Sequence, residues 1–529
     1  MEIALGDAQA GSETVLFFSN QVDGYVEYRF VSPEDTTMTH GLENLTNIIR
    51  EGSSESWTDR NRKGFEALFG ATGGRYRAAA KDVVTLRAPE FGNDSGVPFA
   101  AYIHPSNPTS GPYGGMSFVI FPASDAPCLV AMVVGTQGLS PDEVILGRPG
   151  HARKVQAICA WLNKQYGKGQ QIAWAKQDPT RVDLDIPGSM RRLWSPYQRI
   201  FERYGRVIYA AFTPTVDSES VSAGVTALLD LMFEERGQRP LAQFTDDAET
   251  VRSAWFDYLM TSSTRQQVAE LLDRRRYVII YGPPGTGKTL MAGQILRDEY
   301  ASAGRSIQFH PNTTYENFIG GLAPVTGDGS LGFRFAPTPG FLMESAAEAL
   351  SNPSKRYLLH IDEINRADLG KILGEAIYLL EPEPGFERKI DLPYDFGKPF
   401  NRTLFLPPNL HILGTMNSAD RSISIVDVAV RRRFAFVPLW PSMQVVEQHG
   451  CELTQKAFRD LISIFVEYAS DDALSLVPGH SYFVAKDEAA ARSNMKTNLA
   501  PLLGEYLAQG YVSGFAESVR SYLQWLDSL

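Results

Sequence analysis

Between residues 277 and 300 an apolar run, YVIIY, is followed at once by GPPGTGKT and then by the helical pattern Leu290–Tyr300. This order constrains the fold more than any other feature, because a strand, a glycine-rich turn and a helix start together build a cradle for anions. Glycines let successive backbone N–H groups converge, and the helix presents the positive end of its dipole. Lys288 is placed to reach the β- and γ-oxygens of a triphosphate, and Thr289 offers a hydroxyl to a magnesium ion. The expected nucleotide-binding element is therefore Gly282, Pro283, Pro284, Gly285, Thr286, Gly287, Lys288, Thr289 and Leu290. A Gly/Pro-rich turn can match the pattern by accident, but the flanking strand and helix argue against that here.

Three further apolar runs, Ser306–His310, Tyr357–Asp362 and His411–Thr415, read as buried strands with helical patterns between several of them. That alternation predicts a parallel α/β sheet over residues 245–440. The second run ends in Asp362-Glu363, so two carboxylates lie at the C-terminal edge of a strand, where open α/β sheets bind ligands. Asp362 is expected to hold magnesium and Glu363 to orient and polarise the attacking water. Two acids after a strand are common at surface turns, and it is the phosphate loop that makes this pair meaningful. The third run leads into Asn417, whose carboxamide would meet the γ-phosphate or the water. Arg431, Arg432 and Arg433 precede Phe434-Ala435-Phe436. They read either as a solvated helix end or as an arginine finger reaching a neighbouring subunit's nucleotide, with Arg431 and Arg432 as the catalytic candidates and no ranking among the three.

At 529 residues the chain exceeds one core, since single cores stop growing near about 250–300 residues. After Pro441 the pattern turns helical, with Met443–Gly450, Thr454–Ala469 and Ala500–Gln509, so residues 441–529 are expected to form an all-α lid. Residues 1–190 read as an α+β domain, with helices Asp59–Leu68 and Ala152–Tyr166 and strands Val97–Ile103, Met116–Phe121 and Leu129–Val134. Residues 191–244, containing the helical patterns Ser195–Tyr209 and Val221–Phe233, read as a connector.

A formal charge of -11 argues against a protein that coats nucleic acid non-specifically, though not against a local basic patch. Three dispersed cysteines suit neither a disulfide framework nor a zinc knuckle. The first basic residue is Arg29 and no apolar run reaches the roughly 18–20 residues that span a bilayer, so a cytoplasmic protein with no membrane association is expected. No second carboxylate constellation offers a nuclease, and no H-x-x-x-H pair offers a metal site.

Taken together, GPPGTGKT at 282–289, IDEINRAD at 361–368, GTMNSADRS at 414–422 and VRRRF at 430–434 resemble the McrB family of AAA+ GTPases. FHPNTTYENFIGG at 309–321 resembles that family's aromatic-acidic loop, and GHSYF at 479–483 and PLLGEY at 501–506 resemble its lid. The resemblance covers residues 250 to 510. The MoxR branch of AAA+ proteins shares the phosphate loop, the DEINR motif and a lid. The MNxADRS signature separates the two, with Ser418 here in place of the usual threonine.

The resemblance implies an AAA+ P-loop core with a C-terminal all-α lid, assembled as a homo-oligomeric, hexameric ring. It implies hydrolysis of GTP with Mg2+, and a McrC-like nuclease as partner in modification-dependent restriction of foreign DNA. ATP stays open as the nucleotide, because a phosphate loop touches phosphates and not the base. The alternative from the MoxR side is an ATPase chaperone that remodels a protein complex.

By the same logic residues 1–190 form the module that recognises DNA, and the stretch from Gly96-Val97-Pro98-Phe99 to Gly135-Thr136-Gln137-Gly138 resembles N-terminal domains of McrB-like proteins. Two stretches combine cations with aromatics as a DNA reader needs: Arg60, Arg62, Lys63, Arg75, Tyr76 and Arg77, and then Arg191, Arg192, Trp194, Tyr197, Arg199, Arg203 and Tyr204. Each also reads as an amphipathic helix with its aromatics in the core and its arginines solvated or paired, and Tyr102, Tyr113, Phe118 and Phe121 read as sheet core rather than as a base pocket.

Overall fold

The computed structural model describes residues 19–22, 25–28, 41–53, 56–70, 73–87, 96–214, 218–326, 332–381, 388–419 and 428–529. The chain divides into two compact units, Met1–Tyr258 and Leu259–Leu529.

In the first unit, strands β1 (Ser19–Val22) and β2 (Tyr25–Tyr28) form a hairpin. A six-stranded antiparallel sheet comprises β3 (Thr85–Arg87), β4 (Ala100–Ile103), β5 (Met116–Phe121), β6 (Leu129–Val134), β7 (Ala173–Ala175) and β8 (Ile208–Phe212), in the order β3-β4-β5-β6-β8-β7. Every residue of β5 and β6 is buried, because both faces of the sheet are covered. Side chains alternate across a strand, so Tyr102 and Phe118 share one face, where Phe65 packs on Tyr102. Val119, Phe121 and Val133 line the other, against Met190, Trp194 and Phe201.

Here the structure departs from the domain limits expected from sequence. The expected helix Ser195–Tyr209 breaks at Gly205, and Ile208–Phe212 pairs between β6 and β7. A five-residue buried run, IYAAF, is worth more as an interior strand than as the end of a surface helix. The α+β unit therefore extends beyond residue 190. Helix Thr245–Phe256 packs on helices Pro149–Tyr166 and Ser218–Glu235 and buries Trp255, which carries the first unit on to Tyr258.

The second unit is built on a five-stranded parallel sheet: β9 (Tyr277–Gly282), β10 (Gly304–Gln308), β13 (Tyr357–Asp362), β16 (Leu410–Asn417) and β17 (Ala435–Pro438), in the order β10-β13-β16-β9-β17. Two hairpins interrupt the sequence of the sheet, β11 (Gly320–Thr326) with β12 (Phe333–Pro339) and β14 (Lys389–Asp391) with β15 (Thr403–Phe405). Tyr277, Ile279, Leu359, Ile361 and Ile412 pack on one side of the sheet with Leu342 and Met343 of helix Phe341–Ser351. Val278, Ile280, Leu358 and Leu413 pack on the other side with Val268, Leu272, Ala292 and Ile295. Near-continuous apolar strands covered on both faces are the mark of a parallel sheet. The edge strand β17 was absent from the expected set; its terminal Pro438, which cannot donate to a ladder, is tolerated at an edge.

Beyond Pro441 helices Met443–His449, Glu452–Tyr468, Glu488–Asn494, Ala500–Ala508 and Ala516–Ser528 make the all-α end. Phe465 meets Phe515 at 5.2 Å between ring centroids, and the buried Tyr522 hydroxyl donates to Ala457 O. No helix among the described residues is long and apolar enough to cross a membrane.

Candidate active site

The parallel register brings the ends of three strands together. Asn417, the last residue of β16, pairs with Gly282, where β9 turns into the phosphate loop, and β13 lies on the other side of β16 with Asp362 at its end. The loop closes on its own side chains. The Lys288 ammonium donates to Gly282 O (3.0 Å) and Pro283 O (2.7 Å), and the Thr286 hydroxyl donates to Pro283 O (3.0 Å). Lys288 opens helix Lys288–Asp298 and is itself buried. Burial pushes its pKa down to about 8, opposed by the charges of Glu363 and Asp362. Leu290, two residues on, is 67% exposed.

Across the cleft the Thr289 hydroxyl donates to Asp362 Oδ1 at 2.9 Å. Thr415, two residues before Asn417 and so on the same face of β16, donates to that same oxygen and accepts from the Glu363 N–H at 3.3 Å. Thr415 lies within GTMNSADRS, but that motif assigns it no role; its partners emerge only when β16 packs beside β13. A hydroxyl and a carboxylate oxygen are the hard donors that Mg2+ prefers, and this ion takes the rest of its shell from phosphate and water. Thr289 and Asp362 thus fit a magnesium ion, and among the described residues no cluster of three or more His, Cys, Asp or Glu competes for a metal.

Glu363 sits in the left-handed region at φ 52°, a conformation uncommon outside glycine and asparagine that turns its carboxylate back toward β16. There the Asn417 carboxamide donates to Glu363 Oε1 at 2.6 Å. Asn365 Nδ2 donates to Asn417 O at 3.3 Å, which ties the strand ends once more. Asp420, Arg421 and Ser422, the remainder of the MNxADRS signature, lie outside the described residues.

Residues 277–434, which hold all of this machinery, match the AAA domain of the dynein-related subfamily. The chain is 28% identical over 357 residues to the type IV methyl-directed restriction enzyme EcoKMcrB subunit of Escherichia coli K12, covering 61% of this chain and 75% of that protein. The chain is an AAA+ protein with McrB-like sequence. A second relative, the type II restriction enzyme BsuMI component YdiS of Bacillus subtilis, is 30% identical over 230 residues, 35% of this chain and 66% of its own length. NtrX of Brucella abortus, solved with ATP, is similar at 12% identity over 57% of this chain and 76% of that one, with a TM-score of 0.23, too slight a likeness to bear on function.

The McrB-like chain carries its lid directly on the phosphate loop. Gly479 N donates to Pro284 O (2.9 Å) and Ser481 N to Gly285 O (3.0 Å). Gly285 is left-handed at φ 78°, and a Cβ there would stand 2.4 Å from Ser481 Oγ. Ser418 joins both sides, its N–H donating to Gly282 O and its hydroxyl to Ser475 O, each at 3.0 Å. Burial lowers the His480 pKa to about 4, so the lid loop meets the phosphate loop with a neutral ring.

The three arginines of this McrB-like chain separate. Arg433 is 7% exposed, donates to Ala429 O at 2.8 Å and lies 3.9 Å from Glu381, so it is a local structural cation. Arg431 and Arg432 are exposed, the former with its guanidinium over the Phe436 ring.

In the N-terminal unit six residues of the two cation-aromatic stretches have structural partners. Arg75 is 2% exposed and pairs with Asp230 and Asp247, while the Tyr76 hydroxyl also donates to Asp230. Arg60 pairs with Glu51 and Arg191 with Asp185, while Trp194 and Tyr197 donate to the backbone oxygens of Gln171 and Pro127.

Proposed function

We propose that this chain is the GTP-hydrolysing subunit of a modification-dependent restriction system. In this reading it forms a hexameric ring in the cytoplasm, reads DNA through its N-terminal unit and licenses a separate McrC-like nuclease. The hydrolytic part is carried by one observation, the 2.6 Å hydrogen bond from Asn417 to Glu363 beside the Thr289–Asp362 pair. Lys288 neutralises the β- and γ-oxygens; Thr289 and Asp362 would hold Mg2+, which would supply charge withdrawal at the phosphoryl oxygens. Glu363 aligns the attacking water and accepts its proton, with Asn417 fixing the direction of the carboxylate. Arg431 and Arg432 are both exposed; Arg431 lies over the Phe436 ring, and Arg432 is the finger offered to a neighbouring subunit.

GTP is favoured by the resemblance to McrB GTPases, and restriction by two relatives that are named as parts of restriction enzymes. The test is phosphate release from GTP and from ATP, with and without Mg2+. Turnover of GTP above ATP, abolished by Lys288→Ala, is the expected result. Equal or ATP-preferring turnover rejects the GTP assignment. Turnover together with no retention of modified or unmodified duplex DNA favours the MoxR-like remodelling role.

A further inference from the structure

Where the lid rests on the phosphate loop, Gly479 and Ser481 contribute backbone N–H groups, to Pro284 O and Gly285 O. His480 lies between them, so its main chain is tied to the loop on either side. Its side chain is held as well, because the Ser442 N–H donates to His480 Nδ1 at 3.2 Å. A backbone N–H can only donate, so Nδ1 is an acceptor and carries no proton. Burial lowers the ring's pKa to about 4, which keeps it neutral at about pH 7. In a neutral imidazole whose Nδ1 accepts, the proton sits on Nε2, and Nε2 is a donor.

That donor faces the phosphate loop. Beyond the adjoining chain, the atom nearest a Cβ built at Gly287 is His480 Nε2, 3.7 Å away. Gly287 is left-handed at φ 82° and caps helix Lys288–Asp298, so it marks the point where the loop's N–H groups and the positive end of the helix gather. Among the described residues Nε2 has no hydrogen-bond partner. The packing of the lid does not need this ring. Phe483, three residues on, is buried edge-on to Phe458 at 5.1 Å, while the half-buried His480 lies against Gly287.

We propose that His480 is a nucleotide-binding residue of the lid, its Nε2–H donating to a phosphate oxygen of the nucleoside triphosphate held by the loop. Lys288 already supplies the positive charge that a phosphate chain needs, and a neutral donor adds a directed bond without adding more. The same bond joins the lid to the nucleotide, so that a filled loop also fixes the lid. The inference deepens the hydrolytic function proposed above and rests on its nucleotide site, but not on whether the base is guanine.

Two substitutions separate the ring nitrogens. His480→Gln places an amide N–H at about the reach of Nε2. His480→Asn places an amide oxygen at about the reach of Nδ1, which keeps the Ser442 bond and leaves no donor toward Gly287. Slowly hydrolysed GTP and ATP analogues are titrated into the full chain and into both variants. His480→Asn is expected to weaken both analogues about tenfold, as for the loss of one hydrogen bond to a charged group, and His480→Gln to stay within about threefold of the parent. With 15N-labelled histidine, the Nε2 resonance that His480→Gln removes should shift when either analogue is added. If the Gln variant also binds weakly, that resonance decides: a shift upholds the contact and an unmoved signal overturns it. Affinity kept by Asn and lost by Gln makes the Ser442 bond the whole role of the ring and overturns the proposal. A loss confined to one base overturns the phosphate contact. Binding by the parent that both variants retain, with an unmoved resonance, overturns His480 alone and leaves the nucleotide site standing, whereas a parent that binds neither analogue overturns both.

Discussion

The carboxamide of Asn417 donates from Nδ2 to Oε1 of Glu363 across 2.6 Å, joining the end of one parallel strand to the residue that follows the next. A neutral donor on a carboxylate fixes its direction without neutralising it, as an attacking water requires. Glu363→Gln is expected to keep nucleotide affinity while turnover falls by about two orders of magnitude or more. Parallel measurements of nucleotide Kd and phosphate release check this, and near-normal turnover in the Glu363→Gln variant would remove Glu363 from the chemistry.

Thr415 donates to Asp362 and accepts from the Glu363 N–H, so it holds one carboxylate and the backbone of the other acid from a position 1% exposed. Thr415→Val keeps the shape and deletes the hydroxyl. The Mg2+ concentration for half-maximal turnover should rise about tenfold, in line with the loss of a partner behind a metal ligand. An unchanged Mg2+ titration with reduced stability would mean that Thr415 serves packing alone.

A Cβ at Gly479 would stand 2.1 Å from the Gly285 carbonyl carbon, so lid and phosphate loop touch backbone to backbone. Gly479→Ala must therefore push the lid loop away and break the Gly479 N–H to Pro284 O bond. Nucleotide binding should weaken at least about tenfold, because a buried bond is lost and the loop loses its cover. Titration with a slowly hydrolysed analogue reads this directly.

Arg432 is exposed, whereas Arg433 is buried against Ala429 and Glu381. Arg432→Ala is expected to lower turnover about a thousandfold and leave affinity intact, as for a finger acting between subunits. Mixing it with Lys288→Ala chains should restore partial turnover, each supplying what the other lacks. Arg433→Ala should lower Tm instead; failure of the mixture to recover any rate would confine Arg432 to its own subunit.

Burial lowers His411 and His480 to about 4 from the ordinary 6.5. The unfolded chain then binds these protons more readily than the folded one. Stability is fully present above about pH 6.5 and falls as the pH drops from there through about 4. Thermal unfolding followed across that window should show Tm declining with acid, and His480→Gln should flatten the decline. A slope the variant does not change would assign the acid response elsewhere.

The sequence by itself determined the phosphate loop, the α/β sheet behind it, the acid pair at 362–363, the carboxamide at 417 and the helical end. Each of these is written locally, in glycine spacing, in the strand period or in the residue that ends a buried run. Tertiary structure alone decided that Thr415 backs the carboxylates, that the loop at 479–481 rests on Gly285, that Arg433 is buried while Arg432 is not, and that Ile208–Phe212 is a sheet strand. It also decided that Arg75 spends its charge on Asp230. The physical reason is common to all of them. A side chain's partners are chosen by packing between elements far apart in sequence, and neither spacing nor composition records which charge ends up buried beside which.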